Sequence, residues 1–177
     1  MNEITPKIGY VSVSFTPETT QGLVDWAAKN IPLTELSRVS INTNPNDQNI
    51  THKAHLTLFF GFDDAKVDKE EMTKYLSGLS FDKFQFSGLG TFSTSNPGLK
   101  ILMLKVVDTD GKLLEISQRL SQFPHFSEYQ KPEFVPHLTI AIVTDTFDFS
   151  HASLEGLPEL VASEVAYHLK YSRPVAS

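Results

Sequence analysis

Residues 55–58 read HLTL and residues 137–140 read HLTI, the same small pattern twice, each copy inside an apolar run. Read as β-strands, the two runs turn residues i and i+2 to one face. His55 and Thr57 then project together while Leu56 and Leu58 point inward, and His137 and Thr139 stand likewise over Leu138 and Ile140. Each strand would carry an imidazole and a hydroxyl side by side on a rigid element. The bare pattern is cheap: His125–Ser127 and His151–Ser153 fit a looser H-x-S form, but both lie in polar, loop-like stretches. The strand setting separates the first two copies from these two.

Working outward, IGYVSVSF (8–15) alternates as a strand, with Val11, Val13 and Phe15 on one face and Tyr10, Ser12 and Ser14 on the other. Thr16-Pro17-Glu18 starts a helix, Thr16 as N-cap and Pro17 at the first position, running to about Lys29 and burying Leu23, Trp26 and Ala27. Residues 37–53 are polar and Asn-rich, which predicts a long surface loop before a strand over Ala54–Phe60, closed by Gly61. A helix from about Asp68 carries Met72, Tyr75, Leu76 and Leu79 inward. Strands over Phe81–Phe92 and Lys100–Val107 flank the turn TSNPG (94–98) and predict a hairpin. Asp110 is the expected N-cap of a helix through Gln122, with Leu113, Leu114, Ser117 and Leu120 at helical spacing. His137–Val143 and Glu164–Ser172 complete the strands. The expectation is one α+β domain over residues 1–177. An α/β arrangement is the alternative; either way the sheet is expected to be mixed and to lie in two lobes, since each half of the chain holds a helix, then a loop, then a strand carrying H-L-T.

Composition narrows the chemistry. The chain has no cysteine, so a disulfide scaffold, a thiolate zinc site and a cysteine nucleophile are excluded. Its net charge is −6, and its only arginines are Arg38, Arg119 and Arg173, which argues against a protein that tracks a nucleic-acid duplex. No apolar run approaches the roughly 20 residues that span a bilayer. MNEITPKIGY shows no leader-like segment, so a soluble, cytoplasmic protein is the expectation, taken to be a monomer. No Gly-rich phosphate loop and no G-x-S-x-G elbow occurs, which removes the usual NTPase and serine-hydrolase readings.

If the two strands converge across a cleft, two histidines that titrate near neutrality can divide acid and base roles. The threonine hydroxyls are donors able to hold non-bridging oxygens as charge develops. Reactions at a phosphodiester or cyclic phosphate need that set of parts and require neither metal nor cofactor. HLTLFFG (55–61) and FVPHLTI (134–140), with 82 residues between the histidines (137 − 55), resemble the paired motifs of the two-histidine (2H) phosphoesterases. That superfamily includes the RNA 2′,3′-cyclic phosphodiesterases once called 2′-5′ RNA ligases. The resemblance implies a bilobal fold of duplicated mixed or antiparallel sheets in two pseudo-symmetric lobes, with helices outside and a central cleft, and a catalytic four of His55, Thr57, His137 and Thr139. It also implies metal-independent action on a small cyclic or 2′-5′-linked nucleotide or oligonucleotide, a cyclic oligonucleotide signal, or a 2′,3′-cyclic phosphate at an RNA terminus.

Three further residues are candidates for substrate contact. Tyr10, on the polar face of the first strand, could stack on a base. Phe134, just before the second motif, could do the same or belong to the core. Arg173 in KYSRPV could pair with a phosphate. His52 and His55 in HKAH have a spacing that suits a helix rather than a loop entering a strand, so no metal is expected there. His125, His151 and His168 read as surface or structural. Two other functions fit the same residues: a nucleotide-binding module with negligible turnover, and an interaction domain in which both motifs are incidental.

Overall fold

The computed structural model describes residues 7–39, 41 and 53–170. The first strand, β1 (Ile8–Phe15), turns Val11, Val13 and Phe15 into the core, as the alternation predicts. Thr16 caps the following helix α1 (Pro17–Asn30) by accepting from the Thr19 N–H, and Leu23, Trp26 and Ala27 are buried beneath it. The expected loop at 37–53 instead begins with a strand, β2 (Leu36–Val39), whose Leu36 and Val39 pack against the core. Residues 42–52 lie outside the described part. The first motif occupies β3 (His55–Asp63), which runs through Gly61 rather than closing there.

Asp68 caps α2 (Lys69–Ser77) by accepting from the N–H groups of Glu70 and Glu71, and Met72 and Leu76 face inward. The single strand expected over 81–92 is two pieces, β4 (Lys83–Phe84) and β5 (Phe86–Ser93); β5 forms the predicted hairpin with β6 (Leu99–Val106). The cap of α3 (Lys112–Leu120) is not Asp110, which lies in a left-handed turn at φ 60°. Asp108 takes that role, its carboxylate accepting from the N–H groups of Leu113 and Leu114 at 2.7 and 3.0 Å. The buried stripe of α3 is Leu113, Ile116 and Leu120, at i, i+3 and i+7; of the residues expected inward, Leu114 is exposed and Ser117 half-buried. The second motif is β7 (His137–Thr144), and β8 (Leu160–Lys170) begins earlier than its sequence pattern indicates.

The fold is α+β. The eight strands form one sheet in the order β4-β8-β1-β3-β7-β6-β5, and every pairing is antiparallel. Sequence left the sheet in two parts, and the structure shows how they join. β3 and β7 meet in register at one pair, Leu56 opposite Leu138, and the far half of that same β7 edge is taken by β2. Four strands thus lie on the His55 side of the junction and three on the His137 side, with β2 attached there.

One face of the sheet carries Val11, Val13, Leu56, Leu58, Leu102, Leu104, Leu138 and Ile140 in a single apolar cluster. All three helices bury their inward residues in that cluster, which is the apolar burial that drives their docking. The opposite face carries the motif side chains; none of the three α-helices buries its apolar stripe there, and a 3-10 turn, Ser127–Tyr129, sets Tyr129 edge-on to Phe60 at 5.6 Å. No described helix is long and apolar enough to cross a membrane.

Candidate active site

The junction decides where the motif side chains go. Because Leu56 and Leu138 pair and both are fully buried, His55 and Thr57 emerge on the opposite face, beside His137 and Thr139. All four are partly exposed, and the structure brings them together on the face away from the three α-helices.

Both imidazoles are oriented by the same local device. His55 Nδ1 lies 2.7 Å from the carbonyl oxygen of Lys53, and His137 Nδ1 lies 2.8 Å from that of Val135. A carbonyl can only accept, so Nδ1 carries a hydrogen in each ring and Nε2 is the nitrogen left to gain or lose a proton. Burial holds the pKa of both below the ordinary 6.5, opposed by the carbonyl bond. The charges of Lys131 and His55 push His137 down further, so the two histidines lie within electrostatic reach of each other.

Both motif strands also bulge at the same place. Opposite β1, Thr57 pairs with Ser12 and Phe59 with Val11, which leaves Leu58 as an extra residue. Opposite β6, Thr139 pairs with Met103 and Ala141 with Leu102, which leaves Ile140 extra. A bulge reverses the alternation beyond it. Strict alternation from His55 would turn Phe59 toward the site, but the bulge buries Phe59 and turns Phe60 out instead.

The surroundings of the two motifs differ. On the β3 side, the Ser14 hydroxyl is used by the Glu164 backbone at 3.3 Å, and Ser12 is buried against Thr57. Tyr10 is on the face predicted for it, yet only 4% exposed, with its ring 6.0 Å from Phe60 and 5.3 Å from His168. Burial raises its hydroxyl pKa. The partly exposed rings beside it are those of Phe60 and His168, with Tyr129 edge-on to Phe60 at 5.6 Å. Burial and the His55 charge hold the pKa of His168 down, against Glu164. On the β7 side, Phe92 meets the His137 ring edge-to-face at 4.8 Å, and Lys105 pairs directly opposite His137. Gly90 leaves room there, since a Cβ on it would stand 2.8 Å from Met103 Cε.

Phe134 is half-buried and packs against the core. Arg173 and His52 lie outside the described residues. His125 bridges to Phe62 and sets its ring 5.3 Å from Phe59, while His151 sits beside Asp148 on the surface at 3.4 Å. Neither is in a strand. Among the described residues, no group of three or more His, Cys, Asp or Glu side chains gathers as metal ligands would. Sequence reading missed Phe60, Phe92, Lys105 and Lys131, and set His168 aside as structural. The Gly88-Leu89-Gly90-Thr91-Phe92 alternation was a signal for Phe92; nothing in the sequence announced the bulge that exposes Phe60.

A family model described as the 2′-5′ RNA ligase superfamily matches residues 36–164, a span that holds both motifs. No curated protein matches the chain in sequence. Among solved structures, E. coli LigT in apo form superposes with a TM-score of 0.58 at 17% identity, over 95% of this chain and 90% of its own. LigT complexed with 3′-AMP gives 0.57 at 15% identity, over 96% and 91%. Kluyveromyces marxianus Usb1 gives 0.56 at 11% identity, over 94% and 95%. At these identities the likeness is one of fold.

Proposed function

The chain belongs to the 2′-5′ RNA ligase superfamily of two-histidine phosphoesterases, and on that premise we propose that it is a metal-independent phosphodiesterase. Its substrate is a small nucleotide species: a cyclic or 2′-5′-linked oligonucleotide, such as a cyclic oligonucleotide signal, or a 2′,3′-cyclic phosphate at an RNA end. The observation that supports this reading is the Leu56–Leu138 pair: it puts the two H-x-T motifs on neighbouring strands, each with its imidazole held through Nδ1 at the carbonyl two residues earlier. The LigT structure with bound 3′-AMP supports a nucleotide as the class of ligand.

In the reaction, one neutral imidazole takes a proton at Nε2 from the attacking water. The water oxygen bonds to phosphorus, and the bond to the leaving ribose oxygen breaks. The other histidine, protonated, gives its Nε2 proton to that oxygen. Because each Nδ1–H is tied to a carbonyl, the rings stay aimed while Nε2 changes state. Thr57 and Thr139 donate to the non-bridging oxygens as negative charge builds on them. The site needs no titratable group beyond the two histidines.

The test is a panel of 2′,5′-oligoadenylate, cyclic di- and trinucleotides and 2′,3′-cyclic mononucleotides, analysed by mass spectrometry after incubation with the protein. Hydrolysis of at least one, lost in His55→Ala and in His137→Ala, is the expected result. Tight binding with no new product on any of them would identify a nucleotide-binding module instead.

A further inference from the structure

The chain is acidic overall, with 21 Asp and Glu against 15 Lys and Arg, yet three lysines from distant segments lie on the strands and loop that flank the motifs: Lys105 opposite His137, Lys131 and Lys170. Two of them sit on aromatic rings. Lys170, the last residue of β8, holds its ammonium 5.2 Å from the centre of the Phe60 ring. Lys131, in the loop before β7, holds its own 5.3 Å from the centre of the Phe92 ring. Phe60 lies on the His55 side of the junction and Phe92 on the His137 side, where it touches the His137 ring. Lys131 is near enough for His137 to feel its charge. A lysine seated on a ring has lost part of its rotamer freedom already, so it gives up less on meeting an anion.

We infer that the site takes a substrate with an anionic group on each side of the scissile phosphate, held by Lys170 on the His55 side and Lys131 on the His137 side. This deepens, and rests on, the phosphodiesterase reading above. The substrate is then a run or ring of nucleotides with at least three phosphates in series. A mononucleoside 2′,3′-cyclic phosphate has one phosphate and engages at most one lysine. The Phe60 and Phe92 rings lie beside these phosphates and offer apolar surface to the flanking nucleosides.

Binding is measured by calorimetry on a His55→Ala/His137→Ala chain, so that the readout is independent of turnover. The probes are 5′-phosphorylated 2′,5′-linked triadenylate and adenosine 2′,3′-cyclic monophosphate. Lys131→Met and Lys170→Met keep the side-chain stem on its ring and remove the charge. Each is expected to weaken the triadenylate about tenfold, the worth of one charged contact. Each should also reduce the salt slope of log K by about 0.7, the value for one phosphate on a single strand. Lys170→Arg restores the binding. The cyclic mononucleotide is expected to respond to one of the two variants at most. The inference is overturned if neither variant weakens the triadenylate, if both weaken the two probes equally, or if only the mononucleotide binds. Absence of turnover by the wild-type chain, with this binding pattern intact, would sink the enzymatic reading and leave the two lysine subsites standing.

Discussion

The two halves of the site share a backbone and differ in their neighbours. β3 and β7 each present H-x-T, each tie the imidazole to the carbonyl two residues earlier, and each bulge at the residue after the threonine. Beyond the bulge one half shows Phe60 and the other Ile142. Along the sheet from His55 lie His168, whose pKa the His55 charge lowers, and then Tyr10 and Phe60; around His137 stand Phe92, Lys105 and Lys131. What is duplicated is the means of aiming two histidines. What is not duplicated is the electrostatic setting, and that is where a division between acid and base can arise.

The largest expected effect tests whether both halves are needed. His55→Ala and His137→Ala should each lower kcat by about 10³-fold, within the range of general acid–base contributions, with little change in melting temperature. A loss confined to one histidine would break the equivalence. Thr57→Val and Thr139→Val should each cost about 10²-fold in kcat if each hydroxyl stabilises developing charge. Unequal losses in steady-state kinetics would show which threonine holds the more charged oxygen.

Gly61→Ala tests a joint between the halves. Gly61 has φ of +112°, and a Cβ on it would stand 2.8 Å from Tyr129 Cβ. Denaturant unfolding should show a loss of about 1–3 kcal/mol. The smallest effects are in pH dependence. Both histidines titrate below 6.5 when folded, and one must be protonated while the other is neutral. The kcat/KM profile should therefore be bell-shaped with its maximum below pH 6.5. Lys131→Met removes a cation that lowers the His137 pKa, so the limb set by His137 should move to higher pH. A limb that stays in place would show that Lys131 is without influence there.

Much of this was legible in the sequence because it depends on period. The alternation in IGYVSVSF and the two H-x-T-x runs gave the inward and outward faces, and Thr16-Pro17 gave the start of α1. What the sequence did not show depends on pairing between distant segments. Residues 36–39 form a strand because the far half of the β7 edge is open to them, not because they alternate. Asp108 rather than Asp110 caps α3 because a left-handed turn intervenes, and an acidic residue two places away looks equally suitable in the sequence. Phe60 faces the site only because an opposing strand makes Leu58 the extra residue. The lysines were hidden for the same reason, since Lys105, Lys131 and Lys170 form no basic run.

The loop before β7 supplies the Val135 carbonyl that aims His137 and the ammonium of Lys131. It is fastened to the other half of the sheet: the Phe126 N–H donates to the Gly61 carbonyl at 2.8 Å, and Gln130 Nε2 donates to the Phe60 carbonyl at 3.2 Å. Gly61 therefore belongs by chain position to the His55 strand and by influence to the His137 loop. The two motifs are consequently not free to vary as separate modules. A change that reshapes the end of β3 is paid at the opposite histidine, so compensating substitutions should fall between residues 60–61 and 126–130 rather than within either motif.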